Sequence, residues 1–170
     1  MAIGEKVSGI IESIAAGGAG ILRWQGKTIF IEYTAPGDEV HAIITEETST
    51  WTKARLHKIR TASPLRTESP CPYYEHCGGC NLQHLTYEAQ LQIKQQLLQD
   101  HFTRIGAIHH LPFINMIASE PYGYRNRMQF HRIAKPKAGQ SRVGLKERSS
   151  DAVIAITTCF IADPGIQQAL

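Results

Sequence analysis

Three of the four cysteines lie close together, as Cys71, Cys77 and Cys80 in the run Cys71-Pro72-Tyr73-Tyr74-Glu75-His76-Cys77-Gly78-Gly79-Cys80, while Cys159 stands far downstream. Thiolates are soft ligands that select transition metals and clusters, so the grouping points to a metal centre. Three thiolates on one loop can occupy three corners of a tetrahedron only if the backbone turns sharply. Gly78 and Gly79, which lack a Cβ, are expected to supply that freedom. The fourth ligand must come from another part of the fold.

Structural zinc sites draw their ligands as two close pairs, which fits a five-residue gap, a two-residue gap and a lone distant cysteine poorly. A 4Fe-4S cluster takes four thiolates, commonly three from one run and one from a remote segment, and this inventory meets that need with none left over. Two disulfides are the third option, and they would require a secreted protein. The start of the chain, with Glu5 and no long apolar core, does not read as a signal peptide. No apolar run approaches the roughly 20 residues of a membrane span. A cytoplasmic protein with reduced cysteines and no membrane partner is the expectation.

The remaining candidates for chemistry are weaker. Of the eight histidines only His109 and His110 are adjacent, and sequence neighbours do not normally converge on one ion. His76 and His84 flank the cysteine loop and could replace a ligand if the metal were zinc. Glu88 and Glu120 read as a helix N-terminal charge and a loop residue rather than an acid/base pair.

Charge is distributed unevenly. Residues 1–70 hold eight Lys/Arg and eight Asp/Glu, residues 71–120 hold two and four, and residues 121–170 hold eight and three. Two basic runs stand out: Lys53, Arg55, Lys58, Arg60 and Arg66 with no acid among them, and Arg125, Arg127, Arg132, Lys135, Lys137, Arg142, Lys146 and Arg148 with only Glu147. Each alone could be a solvated face. Together they suit a phosphate backbone, and the RNA-contact candidates are Lys53, Arg55, Lys58, Arg60, Arg125, Arg127, Arg132, Lys146 and Arg148.

The elements that must position these residues follow from periodicity. In the first sixty residues alternating apolar positions at Val7, Ile10 and Ile11, Ile21 and Leu22, Ile29, Phe30 and Ile31, and Val40, Ile43 and Ile44 predict short strands, separated by Gly17-Gly18-Ala19-Gly20, Gln25-Gly26 and Pro36-Gly37-Asp38. A phosphate-cradling role for the glycine cluster would need a helix after it, and a strand and turn follow instead. Pro64, Pro70 and Pro72 mark an irregular link. Thr86 can cap a helix running to about Ile105, with Leu91, Gln95, Leu98 and Phe102 along a core-facing stripe that would hold the cysteine loop against a following sheet. Strands are expected at 125–134, 142–147 and 151–156, paired antiparallel.

The segment from Cys71 through Cys77-Gly78-Gly79-Cys80-Asn81-Leu82-Gln83-His84-Leu85, followed by Tyr87-Glu88-Ala89-Gln90-Leu91 and Lys94, resembles the iron-sulfur segment of the RNA uracil-C5 methyltransferases. Cys159, within Ile156 to Pro164, resembles the place where that family's fourth cluster ligand arrives. Residues 16–40, with their glycines, Ile29-Phe30-Ile31 and Pro36-Gly37-Asp38-Glu39-Val40, resemble the TRAM domain, an OB-like RNA-binding barrel. The resemblance implies a mainly β, α+β protein: a five-stranded OB-like barrel over residues 1–62, then a small α+β central domain over 63–170 with Cys71, Cys77, Cys80 and Cys159 on a 4Fe-4S cluster. A monomer that binds transfer or ribosomal RNA is implied.

Members of that family attack C6 of a flipped uracil with a cysteine thiolate, pass a methyl group from S-adenosylmethionine to C5 and remove the C5 proton. Their S-adenosylmethionine domain is expected to be absent from these 170 residues. Four cysteines committed to iron leave no nucleophile, so no catalytic residue is assigned and the chain alone is expected to bind RNA without methylating it. Two other readings stay open: a stand-alone zinc or iron-sulfur RNA-binding module, and an iron-sulfur redox protein.

Overall fold

The computed structural model describes residues 2–111 and 116–170. The chain divides into two compact units, one of Met1–Glu68 with His84–Met116 and one of Ser69–Gln83 with Ile117–Leu170. No helix among the described residues is long and apolar enough to cross a membrane.

The first unit is built on a six-stranded sheet: β1 (Lys6–Ile10), β2 (Ser13–Ile14), β3 (Gly20–Trp24), β4 (Lys27–Ile31), β5 (Glu39–Glu47) and β6 (Thr52–Thr61), in the order β1-β5-β6-β4-β3-β2. All neighbours are antiparallel except β4 and β6, which run parallel. The sixth strand, where five were expected, arises because the first strand breaks in two. At the break Ile11 N–H donates to Asp38 O at 2.9 Å and Glu12 N–H donates to Ile21 O at 2.9 Å, so the chain hands its pairing from β5 to β3. Between β3 and β4 a two-residue turn has positive φ at both Gln25 (46°) and Gly26 (79°), the twist that suits a tight hairpin.

Alternation puts one face inward. Val7, Ile11, Leu22, Ile29, Ile31, Val40, Ala42, Ile44 and Ala54 form the buried core, and Trp24, Leu56 and Ile59 pack against it. Gly20 is there for space: a Cβ would lie 2.0 Å from Thr34 Oγ1, whose hydroxyl donates to Ile31 O. Asp38, fully buried, ties the sheet to the segment that follows it. Its carboxylate accepts from Ala35 N–H (2.7 Å), Ser63 N–H (2.9 Å) and Arg66 Nη1 (3.1 Å). Arg66 also donates to Tyr33 O, so this cation of the first basic run is a fold contact.

Helix α1 (Tyr87–Arg104) begins where Thr86 accepts a hydrogen bond from Ala89 N–H through its side chain, and it belongs to the first unit. Its apolar stripe is not the core element expected from the spacing. Ala89 is its only buried residue, and Leu98 and Phe102 are each 37% exposed.

The second unit holds a three-stranded antiparallel sheet of β7 (His131–Arg132), β8 (Val143–Lys146) and β9 (Val153–Ala155), then the short helix α2 (Pro164–Gln167). Strand β7 is far shorter than the expected 125–134. The reason is non-local: Arg125 N–H donates to Ile161 O at 2.8 Å and its carbonyl accepts from Asp163 N–H at 2.9 Å, so the start of that stretch pairs with the segment after Cys159.

Candidate metal centre

All four cysteines fall in the second unit, and all are free thiols. The loop at 71–80 is wound by local turns, with Tyr74 N–H donating to Cys71 O and Cys77 N–H donating to Tyr73 O at 2.7 Å. It is then zipped to the end of β8. Gly78 N–H donates to Lys146 O (3.0 Å), Arg148 N–H donates to His76 O (2.9 Å), and Cys77 forms a β-bridge with Glu147. Neither Gly78 nor Gly79 takes a positive φ, contrary to expectation. Close approach accounts for Gly78 instead, since a Cβ there would stand 3.1 Å from Glu147 O.

Cys159 reaches the same neighbourhood from the turn after β9. It is buried in an apolar cluster with Ile156, Ile161 and Ala162, against which Tyr73, Cys80, Tyr122 and Leu145 pack. The Tyr73 hydroxyl, two residues from Cys71, accepts from Thr157 N–H at 3.2 Å and so joins the two cysteine-bearing segments.

The thiols act on one another electrostatically. Burial pushes the Cys71 thiol up, and the neighbouring Cys159 and Cys77 push it further. Cys80 is likewise raised by burial and then by Cys159, Cys77 and Cys71. Tyr122 is raised by burial, with Cys80 and Cys71 adding to it, so its phenol stands beside the thiols while its ring meets Phe160 edge-on.

These surroundings fit a group that binds thiolates. Cys71 accepts a hydrogen bond from the backbone of Tyr73, Cys77 from Gly79 N–H at 3.4 Å, and Cys80 from the side chain of Gln83. Hydrogen bonds of this kind favour the charged sulfur and tune what it holds. Gln83 is itself oriented, because Ser69 Oγ donates to its Oε1 at 2.7 Å. Among the described residues no three His, Cys, Asp or Glu side chains are gathered as ligands of one metal ion. Four thiolates on one zinc would each lie about 2.3 Å from it and within about 4 Å of one another. A cubane distributes its thiolates over different irons and so tolerates a wider spread. Of the flanking histidines, His84 pairs with Thr34 O through Nε2 at 3.0 Å within the first unit.

The basic candidates are mostly exposed. Lys53, Arg55, Lys58 and Arg60 all stand outward on β6, where Lys53 pairs with Glu46 at 3.0 Å and lies over the Trp51 ring at 5.1 Å. In the second unit Arg125, Arg127, Arg132 and Lys146 are exposed, Lys146 pairing with Asp151 at 2.6 Å. Arg148 differs: it is half-buried and its Nη2 donates to Cys80 O at 2.5 Å, so it serves the cysteine loop. Tyr73, Tyr122, Gln83 and Gln167 were not anticipated as parts of the centre. Only Gln83 had a signal, its place three residues after Cys80.

Over nearly its whole length the chain is similar to a class of RNA-modifying enzymes, and it is a homologue of the RNA uracil-C5 methyltransferases. It is 37% identical over 158 residues to the 23S rRNA (uracil(1939)-C(5))-methyltransferase RlmD of Acidithiobacillus ferrooxidans, a match covering 93% of this chain and 36% of that protein. The RlmD of Pseudomonas putida is 34% identical over 168 residues, covering 99% of this chain and 37% of the relative. Among solved structures the tRNA (uracil-54, C5)-methyltransferase of Pyrococcus abyssi, in complex with S-adenosyl-L-homocysteine, superposes with a TM-score of 0.61 at 28% identity, covering 95% of this chain and 34% of that one. The chain thus spans little more than a third of the length of these relatives. No protein-family model matches it.

Proposed function

We propose that this chain is the RNA-recognition and 4Fe-4S-binding portion of an S-adenosylmethionine-dependent RNA uracil-C5 methyltransferase. The observation that carries the reading is that four free thiols from two distant segments lie in one compact unit and act on one another electrostatically, in a homologue of such enzymes. Cys71, Cys77, Cys80 and Cys159 would hold the cluster, and bound there it would tie the loop at 71–80 to the turn at 159. In this reading its work is structural. The six-stranded sheet of the first unit is read as a TRAM-like OB barrel that takes RNA on the outer face of β6, with Arg125, Arg127, Arg132 and Lys146 as further phosphate contacts. Binding of S-adenosylmethionine and methyl transfer to C5 belong to the part of the relatives that this chain does not span. With every cysteine engaged as a ligand, none is left here to attack C6.

Anaerobic reconstitution with iron and sulfide, followed by metal and acid-labile sulfide analysis, tests the cluster. About four irons and four sulfides per chain are expected for a cubane, with visible absorbance that Cys159→Ala abolishes. A colourless protein that takes up one zinc per chain would replace this reading with the zinc module, and unchanged colour in Cys159→Ala would remove Cys159 from the ligand set.

A further inference from the structure

The turn that carries Cys159 is short of regular structure, yet the backbone of that residue is held by a side chain eight positions away. Gln167, at the end of α2, accepts the Cys159 N–H through Oε1 at 2.9 Å, and its Nε2 donates to Thr158 Oγ1. Both ends of one amide are therefore engaged with two consecutive residues of the turn. Helix α2 is fixed in its own right. Asp163 accepts from Gly165 N–H through its side chain at 2.9 Å, Pro164 opens the first turn, and Gln167 N–H donates to Asp163 O. Ala162 N–H closes the turn onto Cys159 O at 3.0 Å.

We infer that Gln167 is the positioning residue of the metal centre: it sets the backbone at Cys159 so that this thiol faces Cys71 and Cys80 before any metal arrives. The inference rests on the proposed cluster only for its consequence, not for its geometry. A lone distant ligand has the most to lose from a floppy backbone, because the other three share one loop zipped to β8. Preorganising it lowers the ordering cost of closing the fourth corner. An amide suits the task better than a carboxylate, since it accepts from one neighbour and donates to the other and brings no negative charge beside a thiolate.

Two readouts keep failure of this inference distinct from failure of the cluster reading. In metal-free, reduced protein, alkylation of each cysteine by iodoacetamide is followed by mass spectrometry. Gln167→Ala should label Cys159 about tenfold faster than wild type, the effect of losing roughly one hydrogen bond's hold, with Cys71, Cys77 and Cys80 much less affected. Gln167→Glu retains an acceptor for the Cys159 N–H and should label no faster than wild type. Should the alanine variant fail to fold, Gln167→Asn, too short by one methylene to reach, is expected to accelerate labelling in the same direction. Wild-type labelling in the alanine or asparagine variant, or equal acceleration in Gln167→Glu, would overturn the inference. In reconstituted protein the visible absorbance should decay several-fold faster under chelator in Gln167→Ala, and equal decay would also overturn it. If wild type takes up no iron and sulfide, the cluster reading fails, while the labelling still decides whether Gln167 holds Cys159.

Discussion

Asp38 is a buried charge that ties distant parts of the first unit together. It is fully buried, and every contact it makes is with a donor: two backbone N–H groups and the Arg66 guanidinium. Removing one partner of such a pair leaves the other charge and two amides without compensation, which costs far more than the pair contributes over an apolar substitute. Asp38→Ala is expected to lower stability by about 3 to 5 kcal/mol in urea unfolding followed by tryptophan fluorescence, and Asp38→Asn by less, since its amide oxygen still accepts. The cysteines make a second prediction at this scale. The folded-state thiols of Cys71 and Cys80 are raised, chiefly by burial. The folded state therefore holds these protons more tightly than the unfolded chain does. In the metal-free protein their contribution is fully present below the unfolded thiol value of about 8.5 and is lost as pH rises through the folded values. Denaturation of the chelated protein between about pH 7 and pH 10 should show stability falling with pH; stability that rises over that window would contradict the shifts.

Strand β6 shows how an element can sort charge. Lys53, Arg55, Lys58 and Arg60 are spaced two, three and two residues apart, and a regular strand would scatter them over both faces. Pairing with β5 steps from Ala42↔Leu56 to His41↔Lys58, one residue on β5 against two on β6, so a bulge at His57 absorbs the odd step and keeps all four cations outward. If this face takes single-stranded RNA, changing the four to Gln should flatten the slope of log affinity against log salt by up to about 3, at roughly 0.7 for each phosphate no longer neutralised. Filter-binding titrations over a range of salt measure it, and an unchanged slope would move the RNA elsewhere. The same strand marks what was legible in the sequence. Local chemistry was readable: the Thr86 cap of α1, the Gln25-Gly26 hairpin and the strand through Val40 and Ile44 depend on residues a few positions apart. The bulge at His57, the short β7 and the amide of Gln167 on Cys159 were not, because each depends on a partner that only the tertiary fold supplies. The apolar positions of α1 show the converse limit: spacing identified the helix, but burial of its stripe requires a neighbour, and Leu98 and Phe102 are covered only in part.

At the scale of the whole molecule, the two units are stabilised by different means. The first has a nine-residue buried apolar cluster and the Asp38 clasp. The second has four buried residues in its cluster, one of them Cys159, and three strands of four residues or fewer. A core that small does not normally carry a fold alone, and small domains of this kind depend on a metal or disulfides. Because all four thiols lie in the second unit, binding energy from a cluster adds to the folding energy of that unit directly. Metal removal should therefore act on the two units unequally, and the sequence supplies separate probes. Both tryptophans, Trp24 and Trp51, lie in the first unit, whereas all four cysteines lie in the second. On anaerobic chelation of the loaded protein, cysteine labelling is expected to shift to a markedly lower denaturant concentration while the tryptophan transition moves little. Thermal melts should then broaden or split instead of remaining a single step. Coincident shifts of both probes by the same amount would mean that the two units unfold as one cooperative body, and a cluster would then support the six-stranded sheet as well as the loop that holds it.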